Sequence, residues 1–564
     1  MTTNLEPQTY DVAIVGSGMA GSSLATILAR HGLSVLVFEA KSHPRFSIGE
    51  SMILETSETM RAMAELYDVP ELAYFSSENY LPMIGTSHGV KRHFSYLHHS
   101  KGETPDASKA LQAVIPKEPH GHELHIYRQD SDAFFVNTAI SYGATVLQHT
   151  PVDALELGED GVHIQAAQAT YHANYLVDAG GFNSIIAKQL ELRDFDLKTH
   201  SRAIFTHMVD LKTVHETSVD RRTLGIPFDM SEGTLHHVFE GGWLWVIPFD
   251  NHAKSTNPLC SVGLMLDPRT YPKRDDISAD EEFFDFIERF PGIKAQFEGA
   301  KAVRPWTRTG RIQYSSKEIV GDRWALLGHA AGFVDPLFSK GLYISLTSVS
   351  LLAHLLLGAQ TTKDFSREAF IGLEEKTHAY LKTNDQLVAS AYKSFAHHQL
   401  WHSYSVVWLL GAYTEFVKLM SVRAASHSRA AYFEASQGLA LAGGGFEAFR
   451  ELTQNIDSLI DRLDLSDEKA CAQTLSQVTA LLSALEWMPK GFHDVLNGKN
   501  HLPKRKLRLG LLRAQRGFMG GGAYRAHFFG GLSTPELLIS FIREKTNYAP
   551  SRVGKKRFRW FGSV

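Results

Sequence analysis

The chain has 564 residues, of which 44% are hydrophobic and 21% are charged, and its formal net charge at pH 7 is -4. This balance is typical of a globular protein and gives no electrostatic argument for a nucleic-acid partner. Cys260 and Cys471 are the only cysteines, which excludes a disulfide framework, and the histidine pairs lack metal-ligand spacing, so we expect no metal. The N-terminus has no signal-peptide pattern, and no segment approaches about 20 uninterrupted apolar residues, so we expect a cytoplasmic protein without membrane contact.

A strand, a glycine turn and a helix are predicted at the N-terminus. Residues 10–15 form a short apolar strand, and GSGMAG leads from it into an apolar-periodic helix. In such a turn Gly16 makes the tight bend, Gly18 lets the backbone approach a pyrophosphate, and Gly21 allows the helix to pack closely on the strand.

A second predicted strand, residues 34–38, ends at Glu39. An acidic residue about 20 positions after the glycines is where a side chain binds the ribose hydroxyls of a dinucleotide. The two strands and the turn therefore predict a dinucleotide-binding βαβ unit, with a glycine turn that merely joins strand to helix as the alternative.

Further segments favour a cofactor that extends past this unit. KSHPRFSIGESM follows Glu39, HIYRQDSDAFF places Arg128 near the start of a helix, and YLVDAGGFN is a strand that ends at Asp178. Late in the chain, VGDRWALLGHAAGFVDPLFSKGLYISL predicts a strand, a turn of small residues and a helix whose N-terminal amides can face a flavin ring. These segments predict FAD rather than NAD.

The segment WLWVIP, residues 243–248, predicts a short strand. Trp243 and Trp245 are two positions apart, so both indoles lie on one face of that strand. Aromatic side chains mostly serve packing, so this face is either part of the core or a wall inside a cavity.

The motifs GSGMAG, IGESM, WLWVIP and GFVDPLFSKG, in this order, resemble the flavin-dependent halogenases over residues 8–420. Within that family, TSHGVKRHFSYLHH, HVFEGGWLWVIPFDNH and PLFSKG are most similar to the stand-alone phenol halogenases of the phloroglucinol type. They are less similar to the tryptophan halogenases, which carry a glutamate where this chain has Phe338. The resemblance implies an α/β fold: an FAD-binding Rossmann-like fold of the flavin monooxygenase and halogenase type, with an inserted β-sheet substrate region and a helical C-terminal region.

The resemblance also implies which residues contact FAD. His329 stands where related flavoproteins commonly have an aspartate, so the usual ribityl contact is missing there, although Asp335 of the VDP step remains. The expected cofactor residues are Gly16, Gly18, Met19, Ala20, Gly21, Glu39, Arg45, Ile48, Gly49, Glu50, Ser51, Arg128, Asp178, Gly180, Asp335, Gly341 and Leu342.

Family chemistry implies that reduced FAD (FADH2) and O2 convert a halide ion, chloride or bromide, into hypohalous acid. We expect the halide at Ser339, Lys340 and Gly341, because successive backbone N–H groups before a helix form an anion-binding nest. An ordinary helix N-cap with Ser339 as the capping residue is the alternative, and the two roles are compatible.

The resemblance places the family's catalytic lysine at Lys91 in GVKRHF, where it either forms a haloamine or donates a hydrogen bond to hypohalous acid. A desolvated lysine has a lowered pKa, which makes a neutral, nucleophilic amine available. Arg92 stays protonated and points to the opposite face of an alternating strand. Trp243, Trp245 and Phe338 are expected to form a substrate-side wall that keeps the organic substrate away from the flavin.

The expected function is therefore halogenation of an electron-rich aromatic, a free phenol, with a carrier-protein-bound aromatic as an alternative. No second nucleotide fingerprint for NADH is evident, so a separate flavin reductase is expected as a partner. An FAD-dependent aromatic hydroxylase is the main rival, and a flavin reductase or non-catalytic flavin-binding subunit is another. A monomer and a homodimer both remain open.

Four regions are expected along the chain. Residues 1–200 hold the first FAD-binding part with Lys91, 201–320 a substrate-side β-sheet region, 321–395 the second FAD-binding part with a return helix, and 396–564 a helical C-terminal region with a basic tail. Residues 100–121 are polar and predict a loop, either a substrate lid or a surface insertion. The tail either docks an acidic partner or is a solvated face; its basic residues are Lys504, Arg505, Lys506, Arg508, Lys555, Lys556, Arg557 and Arg559.

Overall fold

The computed structural model describes residues 9–117, 121–502 and 521–530, together with residues 532, 533, 535, 536, 539, 540 and 542. The basic residues of the predicted tail, at positions 504–508 and 555–559, lie outside the described residues. The interpretation of that tail stays a prediction.

Strands occur throughout the first 326 residues and are numbered in chain order. The strands up to Asp178 are β1 Thr9–Val15, β2 Val35–Phe38, β3 Gly89–Lys91, β4 His93–His98, β5 Ala110–Val114, β6 Glu123–His125, β7 Thr145–Leu147, β8 Val152–Leu157, β9 Val162–Ala166 and β10 Ala169–Asp178. The later strands are β11 Arg193–Asp194, β12 Arg202–Val209, β13 Thr234–Phe239, β14 Gly242–Pro248, β15 Cys260–Leu266, β16 Lys301–Ala302, β17 Thr307–Arg311, β18 Ser315–Ser316, β19 Val320–Gly321 and β20 Trp324–Leu326.

Helices alternate with the strands at first and then dominate. The helices before residue 300 are α1 Met19–Arg30, α2 Leu54–Tyr67, α3 Tyr80–Met83, α4 Arg128–Ser141, α5 Ile185–Gln189, α6 Val214–Thr217, α7 Arg221–Leu224, α8 Ala279–Ile287 and α9 Pro291–Phe297. The later helices are α10 Lys340–Thr362, α11 Arg367–Ser394, α12 His398–Ala425, α13 Arg429–Ser436, α14 Glu447–Arg462, α15 Glu468–Ser483, α16 Lys490–Leu496 and α17 Gly521–Phe529.

The first sheet has a parallel centre in the order β20–β10–β1–β2–β7. Val12, Ala13 and Ile14 of β1 are fully buried, as expected for a parallel strand covered on both faces. The helix α1 connects β1 to β2, so the predicted βαβ unit is confirmed. The antiparallel strands β19, β9 and β8 extend this sheet to eight strands.

The second sheet has the order β16–β12–β15–β14–β13–β4–β5, with β17 paired to β12. Its strands pair antiparallel except for β4 and β13, which are parallel and align Phe94 with Thr234. WLWVIP lies in β14 as predicted, and the Trp243 and Trp245 ring centroids are 5.8 Å apart on the same face. That face packs against the C-terminal helices, while Leu244 and Val246 on the other face pack toward α8 and α9.

The predicted loop at residues 100–121 is wrong in part, because it contains the strand β5. This strand pairs antiparallel with β4 at the edge of the second sheet, and all five of its residues are buried. Gln112 interrupts the apolar pattern and made the segment look solvated. Its side-chain amide is in fact buried and donates to Ser95 Oγ at 3.1 Å and to the Phe228 carbonyl at 3.0 Å.

Two helices, α10 and α12, are long and apolar enough to cross a membrane by length and composition, with mean hydropathy of 1.7 and 1.2 over their most apolar windows. Within the fold, 61% and 72% of those windows is buried. Burial of this extent is what a core helix shows, and α12 lies against α2, α11, α15 and α16. We therefore interpret both as core helices.

Candidate active site

A cavity of about 440 Å³ opens at the carboxyl ends of β1, β2 and β10. Ligands bind at this edge in open α/β sheets, where loops and helix N-termini converge. The predicted cofactor residues that line the cavity are Gly16, Gly18, Met19, Ala20, Gly21, Glu39, Arg45, Ile48, Arg128, Gly180 and Leu342.

The glycine turn has the geometry that a dinucleotide requires. Gly16 has φ of +96°, and a Cβ on it would lie 2.7 Å from the Ala179 carbonyl oxygen. A Cβ on Gly21 would lie 2.0 Å from the Gly16 carbonyl oxygen, so this position allows α1 to pack closely on β1. At Gly18, by contrast, no heavy atom lies within 4 Å of the position a Cβ would take. The backbone there is open to a ligand, and these residues fit FAD.

Glu39 is buried at the end of β2 and organises the turn above it. Its carboxylate accepts from Ser17 Oγ at 2.7 Å, from Ser17 N at 3.1 Å and from Arg45 Nη2 at 3.2 Å. Burial raises the pKa of Glu39, but the Ser17 hydrogen bond and the Arg45 charge outweigh it, so the net pKa is lowered. Glu39 is therefore ionised and lines the cavity.

Arg128, at the start of α4, holds the turn at residues 48–51. Its Nη1 donates to the carbonyl oxygens of Ile48 at 2.6 Å and Gly49 at 3.1 Å, and its guanidinium pairs with Asp132. Glu50 of this turn points away from the cavity and accepts from His207 Nε2 at 2.7 Å. The expected residues Gly49, Glu50 and Ser51 are therefore next to the cavity lining rather than part of it.

Two expected cofactor aspartates are also placed outside the lining. Asp178 accepts from Gly180 N at 2.8 Å and Ser184 Oγ at 2.7 Å, which holds the turn after β10 in shape. Asp335 accepts from Ser201 Oγ at 2.6 Å and the Tyr392 hydroxyl at 3.0 Å, and these bonds turn its side chain toward the second sheet. Burial raises the pKa of Asp335 to about 6.

His329 does line the cavity, at the position where an aspartate was expected. Burial lowers its pKa to about 4, and the nearby charge of Arg128 contributes, so the imidazole is neutral at pH 7. A Cβ on the expected residue Gly341 would lie 3.2 Å from His329 Nε2. Gly341 thus lies behind His329 and allows α10 to approach it.

Lys91 is completely buried at the end of β3. Its Nζ donates to Ser51 Oγ at 2.7 Å and to the Met52 carbonyl at 3.0 Å, and it lies 3.3 Å from the centroid of the Phe94 ring. Burial lowers the pKa of Lys91 well below its usual value, although the carboxylate of Glu123 opposes this shift. The buried nitrogen can therefore act as a neutral amine.

Arg92 points away from this site, as the alternation of the strand requires. It forms an ion pair with Glu232 and lies over the Phe228 ring. It also lines a separate cavity of about 660 Å³, together with His88 and His252. Arg92 and Lys91 therefore serve different surfaces.

The halide-side turn, defined here as residues 339–341, begins α10. Ser339 has φ of +55°, and its hydroxyl does not cap the helix but donates to Ser51 Oγ at 3.3 Å. The Lys340 side chain is buried and pairs with Glu55 at 2.6 Å and Glu415 at 3.3 Å. Burial lowers the pKa of Lys340, but the two carboxylates outweigh it and keep the ammonium charged. What this turn offers an anion is backbone N–H groups at a helix start, which have no acceptor within the helix.

An aromatic layer separates the second sheet from α12. Trp243 and Trp245 are 1% and 5% exposed, and Trp243 Nε1 donates to the Tyr392 hydroxyl at 2.9 Å. Phe338 stacks on Trp408 of α12 with ring centroids 4.9 Å apart. Sequence reasoning missed Tyr392 and Trp408, because each lies in a long helix whose pattern indicates only packing.

One group of side chains in the described residues could hold a metal ion. The ligand atoms of Asp160, His163 and His172 lie within 4.8 Å of one another. His163 and His172 face each other across the hairpin of β9 and β10. This pairing is invisible in sequence spacing, so the expectation of no metal did not consider it.

Comparison with known proteins agrees with this geometry. The FAD binding domain family matches residues 9–361. The chain is 43% identical over 403 residues to the tetracycline 7-halogenase of Kitasatospora aureofaciens, which covers 71% of this chain and 72% of that protein. It is also 43% identical over 422 residues to the monodechloroaminopyrrolnitrin halogenase PrnC of Pseudomonas fluorescens, covering 74% and 73%.

A solved structure extends the likeness to the fold. The crystal structure of halogenase PltM in complex with phloroglucinol and FAD superimposes with a TM-score of 0.83 at 30% identity, covering 87% of this chain and 99% of that one. The cavity, the family match and these relatives agree on the cofactor and the chemistry. The chain belongs to the flavin-dependent halogenases, oxidoreductases that use FAD, a halide ion and O2.

Proposed function

We propose that the protein halogenates a free phenolic aromatic and that Lys91 carries the halogen from hypohalous acid to the ring. The observation that supports this most is the placement of the Lys91 amine. It is buried, and Ser51 Oγ connects it to Ser339 of the halide-side turn through hydrogen bonds of 2.7 and 3.3 Å.

The FAD cavity and the halide-side turn supply the oxidant in this proposal. When bound, reduced FAD would supply the electrons that reduce O2 to the peroxide level, and oxygen at that level can oxidise a halide ion to hypohalous acid. The residues that would hold it are the glycine turn, Glu39, Arg128 and the start of α10. The backbone N–H groups of Lys340 and Gly341 would hold the halide, since the start of a long helix favours an anion.

Lys91 then acts in two steps. The neutral amine attacks the halogen of hypohalous acid, which forms an N–halogen bond, breaks the halogen–oxygen bond and releases water. The aromatic ring takes the halogen from nitrogen and loses its ring proton, which restores the amine. The lowered pKa of Lys91 supports this route over delivery by a charged ammonium.

The aromatic layer would keep the organic substrate from the flavin. Trp243, Trp245 and Phe338 are buried and held by Tyr392, Ser261 and Trp408, so this wall is rigid. Phe338 carries no base, which fits a substrate whose own hydroxyl activates the ring. A phenol meets that requirement.

The two relatives of 43% identity and the PltM structure support a free substrate rather than a carrier-bound one. Tetracycline 7-halogenase and PrnC are named for free compounds, and PltM was crystallised with phloroglucinol, a free phenol. We further propose that a separate flavin reductase supplies the reduced cofactor and that the protein works in the cytoplasm.

The test is an assay with FAD, NADH, a generic flavin reductase, O2 and either bromide or chloride. Mass spectrometry follows a panel of phenols, with a pyrrole, tryptophan and a carrier-tethered aromatic as comparisons. Halogen isotope patterns on the phenols alone are the expected result. Addition of oxygen without halogen would replace the proposal with an aromatic hydroxylase, and halogenation of the tethered substrate alone would replace the free phenol.

A further inference from the structure

The Ser51 hydroxyl has three hydrogen-bond partners, which is the number it can satisfy. It lies 2.7 Å from Lys91 Nζ, 3.3 Å from Ser339 Oγ and 3.1 Å from Thr234 Oγ1. A hydroxyl has one hydrogen to donate and two lone pairs. Ser51 therefore donates to one of these groups and accepts from the other two.

The identity of the donated bond follows from His125. Its Nδ1 lies 2.9 Å from the Pro248 carbonyl oxygen, which can only accept, so Nδ1 carries the hydrogen. The ring is fully buried, and burial together with the Lys91 charge lowers its pKa to about 3, so the imidazole is neutral and Nε2 carries a lone pair. Thr234 Oγ1 lies 2.9 Å from that Nε2 and must donate to it.

The donor and the acceptor of each remaining hydrogen bond in this network follow. Thr234 gives its only hydroxyl hydrogen to His125, so its oxygen accepts from Ser51. Ser51 gives its only hydrogen to Thr234, so its oxygen accepts from Lys91 and from Ser339. The hydroxyl nearest to the buried amine has no hydrogen left to offer the lone pair of that amine.

We propose that His125 and Thr234 are positioning residues that keep Ser51 from donating to Lys91 and so leave the amine lone pair free to meet hypohalous acid. The inference rests on the proposed function of Lys91 and adds the reason why the amine is reactive rather than blocked. The same hydrogen-bond network connects the Lys91 amine to Ser339. The Ser51 hydroxyl therefore sets the distance from Lys91 to the halide-side turn.

Paired strands hold the backbone of the residues in this hydrogen-bond network. His125 lies on β6, which pairs antiparallel with β3 so that Gly89 faces His125 and Lys91 faces Glu123. Ser51 forms an isolated antiparallel bridge to His125. Thr234 begins β13, which is paired on both sides by β4 and β14. The participating residues are therefore held in register by main-chain bonds as well as by their side chains.

Other titratable groups also affect the charge on Lys91. The carboxylates of Glu123 and Glu55 favour the ammonium. The pKa values of the surrounding imidazoles, His93, His125 and His236, are lowered mainly by burial and to a smaller extent by Lys91. The groups that face Lys91 from β6, α2, β4 and β13 are Glu123, His125, Glu55, His93 and His236.

Thr234→Val tests this hydrogen-bond network, because valine keeps the shape of threonine and removes the hydroxyl. Ser51 is then free to donate to the Lys91 amine, which blocks the lone pair and lowers the pKa of Lys91. We expect halogenated product per O2 consumed to fall about tenfold, the factor for one hydrogen bond to a reactive group, with a matching rise in free hypohalous acid. The ascending limb of the pH profile should move about one unit lower.

The matched control is Thr206→Val on β12 of the same sheet, where Thr206 is also buried but donates to the Arg304 carbonyl. It should leave yield and pH profile unchanged. Thr234→Ser keeps a hydroxyl and should restore both. His125→Phe, which removes the acceptor for Thr234, should repeat the Thr234→Val result if the latter variant folds poorly.

Unchanged yield and unchanged pH profile in folded Thr234→Val would overturn the positioning role. Failure of the proposed function would give a different result. In that case Lys91→Met would still form halogenated product. A fall in yield that Thr234→Ser does not rescue would assign the effect to packing and would also overturn the inference.

Discussion

Lys91 Nζ lies 3.3 Å from the centroid of the Phe94 ring, so the amine rests on an aromatic face inside the protein. The ring stabilises a cation at this distance, and Ser51 and the Met52 carbonyl accept its hydrogens. Burial works in the opposite direction and dominates. The balance of these effects therefore favours the neutral amine.

Lys91→Met should remove halogenation while leaving the flavin chemistry in place. Methionine fills the same buried space, and the substitution removes a charge that the interior does not solvate, so thermal unfolding should occur at the same temperature or higher. We expect product formation to fall by about a hundredfold or more. Product is measured by mass spectrometry, and continued O2 consumption with release of free hypohalous acid reports that the flavin chemistry is intact.

Glu123→Gln should shift the pH dependence without reducing the maximum yield. The Glu123 carboxylate raises the pKa of Lys91 against the effect of burial, so removing its charge lowers the pKa of Lys91 further. Activity that needs the neutral amine then rises at lower pH than in the wild type. The check is the pH profile of product per O2 consumed. A shift to higher pH would contradict a catalytic amine.

Tyr392→Phe should loosen the aromatic wall. The Trp243 indole N–H loses its acceptor, and Asp335 loses a donor, inside a fully buried cluster. We expect the free energy of unfolding to fall by about 1–3 kcal/mol, together with more peroxide per halogenated product. Tyr67→Phe is the control, because the Tyr67 hydroxyl is also buried and bonded but contacts Ser350 on α10. Chemical denaturation and peroxide assays give the two readouts.

Lys340→Met distinguishes a structural ammonium from a halide-binding one. The buried Glu55 and Glu415 would lose their shared cation, which costs about 3–5 kcal/mol of stability. Adding Glu55→Gln and Glu415→Gln should restore much of that stability. If halide affinity, measured as the bromide dependence of the yield, stays unchanged in the restored variant, the backbone N–H groups are the halide ligands. A large loss of bromide affinity would assign the role to the side chain.

Glu39→Ala should weaken FAD binding. The carboxylate is ionised and held by Ser17 and Arg45, so its loss should loosen the glycine turn and remove the charge-assisted hydrogen bond that we expect it to form with the ribose. We expect the FAD dissociation constant to rise about ten- to a hundredfold, as measured by flavin fluorescence. Glu240→Ala, on the exposed turn between β13 and β14, is the control and should not change it.

The local patterns of the chain predicted the βαβ unit, the roles of Gly16 and Gly21, and the strand at WLWVIP, because strand alternation and glycine turns are encoded by neighbouring residues. The strand β5 was missed since Gln112 interrupts its apolar run. Asp335 was expected at the cofactor, but Ser201 and Tyr392 turn it toward the second sheet. No pattern among neighbouring residues in the sequence indicates hydrogen bonds between residues so far apart along the chain.

The same limit applies to the candidate site. Lys91 was identified through a resemblance, and its burial could not be inferred from the sequence GVKRHF. Thr234 lies 183 residues from Ser51, and His125 lies 109 residues from Thr234. Contacts at these separations depend on how β3, β6 and β13 assemble, and a single sequence does not encode that assembly in any local period.

The bond between Ser51 and Ser339 spans 288 residues and has a consequence for synthesis of the chain. A ribosome releases Lys91 and Ser51 early, but the residues that complete both the halide-side turn and the flavin cavity arrive only with α10. A truncated product that stops before α10 would carry Lys91 without the halide-side turn and without the part of the cavity that Leu342, Ser345 and Leu346 line. We therefore expect incomplete chains to form no hypohalous acid, and activity to appear only once α10 has packed against the first sheet.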